Sequence, residues 1–184
     1  MKYLIVGLGN PGEEYMNNRH NVGFILLDYI VNSINLKSQE SSLQWEYSKK
    51  FNGEYIKYKD NIFLKPFTFM NDSGESISNT VSFYNIDSSS LIVIYDDLDI
   101  QFGQYKVTKK TPKGHNGILS VVDKIKQKEF LNIRIGINNR NGQGETGNPG
   151  KEYVLSDFSK EELSILEDKV FTGILKELKI MINV

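Results

Sequence analysis

Apolar positions along the chain follow two spacings, and their alternation predicts the elements of the fold. Strands are predicted from short apolar runs at residues 2–8, 91–95, 104–109 and 130–137. Helices are predicted from apolar positions three and four apart at residues 21–34, 72–84, 116–125 and 159–184. Residues 44–66 alternate aromatic and polar positions around turn dipeptides, which predicts a meander of short strands.

Capping residues support these helix positions. Asn21 and Asp72 stand where the first two helices would begin, and Ser159 with Glu162 has the spacing of a capping box. Strands that alternate with helices predict an α/β fold, with a mixed, mostly parallel twisted sheet flanked by helices. No internal repeat or domain boundary is evident in the 184 residues, so we expect a single domain.

Composition narrows the classes of function. The chain has no cysteine, which excludes disulfides, a thiolate nucleophile and a cysteine-based zinc site. Its content of 39% hydrophobic and 24% charged residues is ordinary for a globular domain. No stretch approaches the roughly 20 apolar residues that span a bilayer, and the N-terminal apolar run is too short for a signal peptide. We therefore expect a cytoplasmic protein with no membrane partner.

Charge is distributed unevenly on a chain whose formal net charge is only −1. Residues 104–140 hold nine lysines and arginines against two acidic side chains, a local charge of +7. A basic segment on a neutral chain can dock a phosphate backbone, because association follows the local potential. An ordinary solvated, lysine-rich surface would produce the same pattern, so the charge alone leaves both interpretations open.

The stretch VGLGNPGEEYMNNRHN, residues 6–21, has Gly7, Gly9 and Gly12 at the G-x-G-x-x-G spacing of a dinucleotide-binding turn. Such a turn requires a helix that begins inside the motif and an acidic residue at the end of a second strand about 20 residues later. Here the residues after Gly12 lack apolar periodicity, and Asp28, the acid in range, falls in the middle of a predicted helix. The glycines instead predict a tight turn after the first strand.

Histidine is the natural base at neutral pH, and the chain has only His20 and His115. Asp96 follows a predicted strand, where its carboxylate can orient an imidazole. Because open α/β sheets bind ligands at their strand ends, we expect Asn10, Asn71 and Asp96 around one cleft. A His–Asp pair with several amides is typical of ester or amide hydrolysis by water. Surface histidines, turn aspartates and helix-capping asparagines remain the alternative interpretation.

Six sequence blocks follow one another along nearly the whole chain. They are VGLGNPGEEY with RHNVGF (6–24), KPFTFMNDSGESI (65–77), LIVIYDDLDIQFG (91–103), GHNG (114–117), RIGI (134–137) and YVLSDFS (153–159). Together they resemble the bacterial-type peptidyl-tRNA hydrolases. The resemblance implies one α/β domain over residues 1–184 that cleaves the ester between a peptide's C-terminus and the 3′ ribose of tRNA. This reaction recycles tRNA during translation and needs no metal or cofactor.

The same resemblance implies a role for each matching residue of the cleft. His20 would activate water, Asp96 would orient His20, and Asn10 would help to place the reacting ester. The residues expected to bind the peptide and the 3′ end of the tRNA are Tyr15, Met70, Asn71, His115 and Asn116.

The resemblance also implies how the tRNA would be held. The acceptor stem of a peptidyl-tRNA would dock on basic side chains, namely Lys106, Lys109, Lys110, Lys113 and Arg134. Residues 138–150, rich in glycine and asparagine, would form a mobile gate over the cleft. The protein is expected to act as a monomer.

The chain departs from the family pattern at a few positions. Asn18 stands where the family usually has threonine, and Pro112 restricts a run that the family keeps glycine-rich. Thr108 stands where a basic residue is common. Two alternatives are a non-catalytic RNA-binding relative, which the presence of all the catalytic residues disfavours, and a dinucleotide-dependent oxidoreductase, which the glycine stretch disfavours.

Overall fold

The computed structural model describes residues 2–36, 42–112, 114–126, 129–139 and 150–182. Within them, seven strands form one sheet: β1 Leu4–Gly7, β2 Glu46–Ser48, β3 Gly53–Tyr58, β4 Asn61–Pro66, β5 Leu91–Gln101, β6 Tyr105–Thr108 and β7 Leu131–Asn138. The order across the sheet is β2-β3-β4-β1-β5-β7-β6. Strands β4, β1, β5 and β7 are mutually parallel, whereas β2 pairs antiparallel with β3, β3 with β4, and β6 with β7. The predicted mixed sheet is confirmed.

Helices cover both faces of this sheet. They are α1 Val22–Asn35, α2 Ser73–Tyr84, α3 Asn116–Ile125, α4 Gly150–Val154, α5 Lys160–Ile165 and α6 Thr172–Ile182, with a π-helical turn over Leu166–Phe171. The side chain of Ile5 packs on the face covered by α1 and the C-terminal helices, and its neighbours Leu4 and Val6 pack on the face covered by α2 and α3. Successive strand residues point to opposite faces, so β1 is buried on both. None of the described helices is long and apolar enough to cross a membrane.

Strand β5 is longer than the sequence predicts. The apolar run ends at Tyr95, but the strand continues through Asp96 and Asp97 to Gln101. Asp96 and Asp97 pair with Ile135 and Gly136 of β7, and both carboxylates are buried. The alternative interpretation of these aspartates as turn residues is therefore wrong, because strand pairing carries both side chains into the protein.

The helix caps are only partly as predicted. The capping box is confirmed, since Ser159 Oγ accepts from the Glu162 N–H and the Glu162 carboxylate accepts from the Ser159 N–H. Asn21 and Asp72 occupy the N-cap positions of α1 and α2, but neither side chain bonds its helix. Each ends a 3-10 turn, with backbone angles near φ −94°, ψ 8° at Asn21, rather than the extended conformation that a capping side chain needs.

The glycine stretch serves two purposes in the fold. No α-helix begins inside it: two 3-10 turns, Glu13–Tyr15 and Arg19–Asn21, come before α1, which starts at Val22. A Cβ atom on Gly7 would lie 2.3 Å from the carbonyl oxygen of Gly23, so glycine at this position lets β1 and α1 pack closely. Gly12 has φ +120°, which L side chains rarely adopt. The chain therefore bends at Gly12, just before the 3-10 turn over Glu13–Tyr15, rather than in a tight turn directly after β1, whereas Gly7 allows a close contact between strand and helix.

Candidate active site

A cleft of about 750 Å³ opens where β1 and β4 end and β5 continues through Asp96. These strands are parallel, so their carboxyl ends lie at one edge of the sheet. The eight residues predicted for catalysis and substrate binding all line this cleft: Asn10, Tyr15, His20, Met70, Asn71, Asp96, His115 and Asn116. The expectation that Asn10, Asn71 and Asp96 surround one cleft is thereby met.

Asp96 is the central charged group of the cleft. Its side chain is only 2% exposed, and its Oδ1 atom lies 2.7 Å from Nδ1 of His20 and 3.0 Å from Nε2 of His115. The two imidazole rings lie with their centroids 5.1 Å apart. One buried carboxylate oxygen therefore accepts hydrogen bonds from two histidines that are distant in the sequence.

The hydrogen bonds determine which ring nitrogens carry protons. His115 caps α3 through Nδ1, which accepts from the backbone N–H of Ile118 at 3.3 Å. The Nδ1 of His115 is therefore unprotonated, and its Nε2–H donates to Asp96. His20 donates from Nδ1–H to the same oxygen, which leaves its Nε2 with a free electron pair. His20 is thus the histidine whose outer nitrogen can take a proton.

Burial and the neighbouring charges act in opposite directions on the pKa values of His20 and Asp96. Burial alone would lower the pKa of His20, but the charge and hydrogen bond of Asp96 outweigh it and raise that pKa above the usual 6.5. Burial alone would raise the pKa of Asp96, but the two imidazoles hold it well below its usual range. Asp96 is consequently ionised at neutral pH and favours the imidazolium form of His20.

Asn10 is held by two neighbours. Its Oδ1 accepts from the backbone N–H of Met70 at 2.8 Å. Its backbone N–H donates to Oδ1 of Asn21, and its carbonyl oxygen accepts from Nδ2 of Asn21, both at 2.9 Å. The side-chain orientation of Asn10 leaves its NH₂ group as a donor at the cleft. The sequence pattern predicts Asn21 as a helix cap, whereas its side chain instead holds the Asn10 backbone.

Arg19, next to His20, was not predicted as part of the site. Its side chain is 9% exposed, and Nη2 contacts both carboxylate oxygens of Glu162 at 2.8 and 2.9 Å. Its guanidinium lies over the rings of Tyr153 and Phe158, at 4.7 and 4.9 Å from their centroids. Arg19 and Glu162 are 143 positions apart in the sequence, and no local pattern connects them.

Asn18, one of the departures from the family pattern, also connects the turn that carries His20 to the C-terminal part of the chain. Its Nδ2 donates to the carbonyl oxygen of Leu155 at 2.6 Å, and its backbone forms a bridge with Asp157. Residues 150–155 supply part of the cleft wall through Gly150, Lys151, Val154 and Leu155. The turn that carries His20 and this wall are therefore bonded to each other.

The predicted substrate-binding residues differ in exposure. Met70 is 4% exposed, whereas Asn71 and Asn116 are exposed at the cleft. Tyr15 packs edge-on against Phe69, with ring centroids 6.4 Å apart, and Phe69 is itself 58% exposed. Phe69 lines the cleft but was not singled out from the sequence, although it lies directly before Met70 and Asn71 in a quoted block.

The predicted tRNA-contacting residues lie in different environments. Lys106, Lys109 and Lys110 are exposed on β6 and just after it. Arg134 pairs with Lys106 across β6 and β7, but its side chain is 17% exposed and its Nε contacts the carboxylate of Asp97. Lys113 lies outside the described residues, as do residues 140–149 of the predicted gate.

The departure at Pro112 does not prevent His115 from reaching Asp96. Pro112 and Gly114 both line the cleft, and Gly114 has φ +102°. This left-handed conformation, which glycine tolerates, lies directly before the histidine. The pairing of His115 with Asp96 at 3.0 Å is formed with Pro112 in the sequence.

The His20–Asp96–His115 group also has a composition that can bind a metal ion. One ligand atom from each residue lies within 4.8 Å of the others. In the hydrogen-bonded arrangement, however, the nitrogens that face Asp96 carry protons. A metal ion at this position would have to displace those protons and both hydrogen bonds. The expectation of a metal-free site stays a prediction.

Comparisons with known proteins extend over nearly the whole chain. The family described as peptidyl-tRNA hydrolase matches residues 4–184. The peptidyl-tRNA hydrolase of Ureaplasma parvum is 42% identical over 96% of this chain and 91% of its own length, and that of Bacillus subtilis is 40% identical over 91% and 85%. The crystal structure of peptidyl-tRNA hydrolase from Acinetobacter baumannii has a TM-score of 0.83 at 28% identity, covering 98% of this chain and 88% of that chain.

Proposed function

Because this chain belongs to the peptidyl-tRNA hydrolase family and is a hydrolase, we propose that it cleaves the ester of peptidyl-tRNA with a water molecule activated by His20. The products are a peptide with a free carboxylate and a tRNA with a free 3′-terminal ribose hydroxyl. The reaction recycles tRNA during translation, in the cytoplasm, and the protein acts as a monomer. The observation that carries this proposal is the His20–Asp96 pair, joined at 2.7 Å in the cleft.

In the proposed first step, Nε2 of His20 takes a proton from water as the water oxygen attacks the ester carbonyl carbon. The imidazolium that forms is stabilised by the buried carboxylate of Asp96, which stays ionised. Negative charge develops on the carbonyl oxygen, and the NH₂ group of Asn10 is the donor at the cleft that can stabilise it.

In the proposed second step, the carbon–oxygen bond to the ribose breaks. His20 returns its proton from Nε2 to the leaving ribose oxygen, and the carbonyl reforms as part of the peptide's carboxylic acid. The base is thereby regenerated within one turnover. Neither step requires a covalent intermediate with a protein side chain.

The peptide is proposed to bind through its backbone. Asn71 and Asn116 have amide groups that can pair with peptide N–H and C=O groups, which every peptide has. Met70 and His115 form apolar and aromatic parts of the cleft wall. Recognition of backbone rather than side chains suits an enzyme whose substrates differ in peptide sequence.

The acceptor stem is proposed to dock on the basic segment, with Tyr15 near the 3′-terminal nucleotide. Lys106, Lys109, Lys110 and Lys113 would contact phosphates, which fixes orientation without reading sequence. Arg134 would contribute through the part of its guanidinium that does not contact Asp97. Residues 138–150 are proposed to close over the cleft as a gate.

The proposal is tested with N-acetylated aminoacyl-tRNA in the presence of a chelator. The wild-type protein should release free tRNA at an undiminished rate with chelator, and His20→Ala should remove most of that activity. Aminoacyl-tRNA with a free amino group is the control substrate, which the enzyme should spare. If the chelator abolished wild-type activity, the proposed activation of water by His20 alone would be contradicted. Such a result would indicate a metal ion at the His20–Asp96–His115 group.

A further inference from the structure

A second surface of the described residues combines aromatic rings with lysines, where β3 meets the C-terminal end of α2. Four rings form its base: the centroid of Phe51 lies 5.4 Å from that of Tyr55 and 5.5 Å from those of Phe83 and Tyr84. Phe83 and Tyr84 pack edge to face at 4.7 Å, and Phe83 is 50% exposed. The outer rings therefore present aromatic area to solvent.

Three exposed lysines lie over these rings. Lys50 Nζ is 3.5 Å from the centroid of Phe83, and Lys2 Nζ is 4.2 Å from that of Tyr84. Lys57 Nζ approaches Tyr84 from the strand side, at 5.3 Å. We call these three lysines and four rings the lysine–aromatic surface.

The surroundings of the lysine–aromatic surface keep it positively charged. A cavity of about 380 Å³ beside it is lined by Lys2, Lys57 and Lys59 and by a single carboxylate, that of Asp60. A second carboxylate, that of Glu46, is also near and accepts a hydrogen bond from the hydroxyl of Tyr55. Lysines therefore outnumber carboxylates where the rings are exposed.

The position of the lysine–aromatic surface separates it from the catalytic cleft. Met70 and Asn71, in the 3-10 turn directly before α2, line the cleft, whereas Phe83 and Tyr84 lie at the C-terminal end of that helix. A helix of 12 residues is about 18 Å long. A ligand on this surface is therefore bound apart from an ester in the cleft.

We propose that the lysine–aromatic surface binds an unpaired stretch of RNA, a function beyond the proposed hydrolysis. Its lysines would contact phosphates, and bases would stack on Phe83 and Tyr84. Positive charge beside exposed aromatic faces is the combination by which proteins hold single strands. In a duplex the base faces are covered by neighbouring pairs, so stacking selects unpaired RNA.

The lysines that now cover the rings do not block this use. A cation–π contact at an exposed site is weak, and stacking of a base on an aromatic side chain is stronger. Lys50 and Lys57 have long flexible stems, so their ammonium groups can move from ring to phosphate as a base takes the ring face. Lys50 and Lys57 would thus contact the rings in the free protein and the phosphates in the complex with RNA.

The test measures fluorescence anisotropy of a labelled oligouridylate of about 12 nucleotides, a length within the range that such sites cover. Lys50→Glu combined with Lys57→Glu should weaken binding tenfold or more, and should reduce the slope of log K against log salt by about 1.4. Phe83→Leu keeps apolar bulk but removes the ring, and should weaken binding about fivefold or more. Lys176→Glu, a single charge reversal at an exposed position on α6, is the control and should change binding less than about twofold.

The binding measurements are repeated in protein carrying Lys109→Gln and Lys110→Gln, so that the proposed acceptor-stem surface does not supply the signal. Release of tRNA from N-acetylated aminoacyl-tRNA is measured on each variant and should be unchanged by the substitutions at Lys50, Lys57 and Phe83, which separates this proposal from the hydrolysis. Unchanged oligouridylate binding in the Lys50/Lys57 variant would overturn it. Equal binding of a duplex, or indifference to Phe83→Leu, would also overturn it in favour of a simple anion-binding surface.

Discussion

The two histidines have different roles, although both donate a hydrogen bond to the same oxygen of Asp96. His115 uses one nitrogen to cap α3 and the other to bond Asp96, so both of its ring nitrogens are engaged. Among the described residues, His20 forms its ring hydrogen bond through Nδ1 only. The free Nε2 makes His20 the base in the proposed reaction, and it makes His115 a support for the carboxylate.

The raised pKa of His20 leads to a prediction about pH. The base form is the neutral imidazole, so kcat/KM should rise as pH increases through the pKa of His20 in the free enzyme. Because Asp96 raises that pKa, the midpoint should lie above the ordinary 6.5 of histidine. The measurement is the pH dependence of tRNA release under kcat/KM conditions, and a midpoint below 6.5 would contradict the account.

Replacing the carboxylate tests its effect on His20. Asp96→Asn keeps the size of the side chain and removes its charge, so burial alone would act on His20 and move the pH midpoint downward. The rate should fall by about 10²- to 10⁴-fold, because the imidazolium loses its partner and the tautomer is no longer fixed. A nearly normal rate, or an unmoved midpoint, would show that Asp96 does not orient the base.

At the scale of elements, the turn that carries His20 is attached to the C-terminal part of the chain. Arg19 bonds Glu162 and Ser156, and Asn18 bonds Leu155, so three side-chain contacts join the turn to residues 155–162, of which Leu155 lines the cleft. Glu162 also completes the capping box of α5. The position of His20 therefore depends on residues far from it in the sequence.

The Arg19–Glu162 pair should show strong coupling in a double-mutant cycle. Both side chains are mostly buried, so Arg19→Met or Glu162→Gln alone should lower the free energy of unfolding by about 3 kcal/mol, because one partner remains without its counter-charge. The double variant should lose less than the sum of the two, and Arg19→Met should also lower kcat.

The control for this cycle is Lys124 with Glu75, whose side chains are 43% and 54% exposed and lie 3.4 Å apart. Exposed pairs of this kind couple by about 0–1 kcal/mol. The measurement is denaturant unfolding of all the variants. Additive effects at Arg19 and Glu162, equal to those of the control pair, would show that the attachment does not hold the turn.

Local sequence patterns predicted the elements where hydrophobic spacing decides the structure. α3 begins and ends where the spacing places it, and the capping box at Ser159 forms. The patterns failed where tertiary contacts decide. The apolar run predicts a strand that ends at Tyr95, but β5 continues through Asp96 and Asp97 because β7 pairs with them. Asn21, predicted as a cap, instead bonds the backbone of Asn10.

At the scale of the whole molecule, the parallel sheet brings the site together. Asn10 comes after β1, Met70 comes after β4 and Asp96 lies within β5, and the order β4-β1-β5 places these positions side by side at one edge of the sheet. The strand-end rule predicted this gathering from the sequence. The contacts of Arg19 with the C-terminal segment, in contrast, require the fold itself.

Docking of tRNA on the basic segment predicts different salt responses for two substrates. Hydrolysis of tRNA-linked substrate should weaken steeply with salt, because each phosphate contact releases counterions. Hydrolysis of a small ester, which uses only the cleft, should change little. The measurement compares kcat/KM for both substrates between low and high salt, and equal responses would contradict the docking role of Lys106, Lys109 and Lys110.

The central claim, that His20 and not His115 activates the water, is tested by comparing two variants in one assay. Release of tRNA from N-acetylated aminoacyl-tRNA is measured for His20→Ala and His115→Ala at saturating substrate. The account predicts that kcat falls by about 10²- to 10⁴-fold for His20→Ala, and by less than about tenfold for His115→Ala, since a support contributes less than the base. Equal losses in the two variants, or a greater loss for His115→Ala, would contradict it.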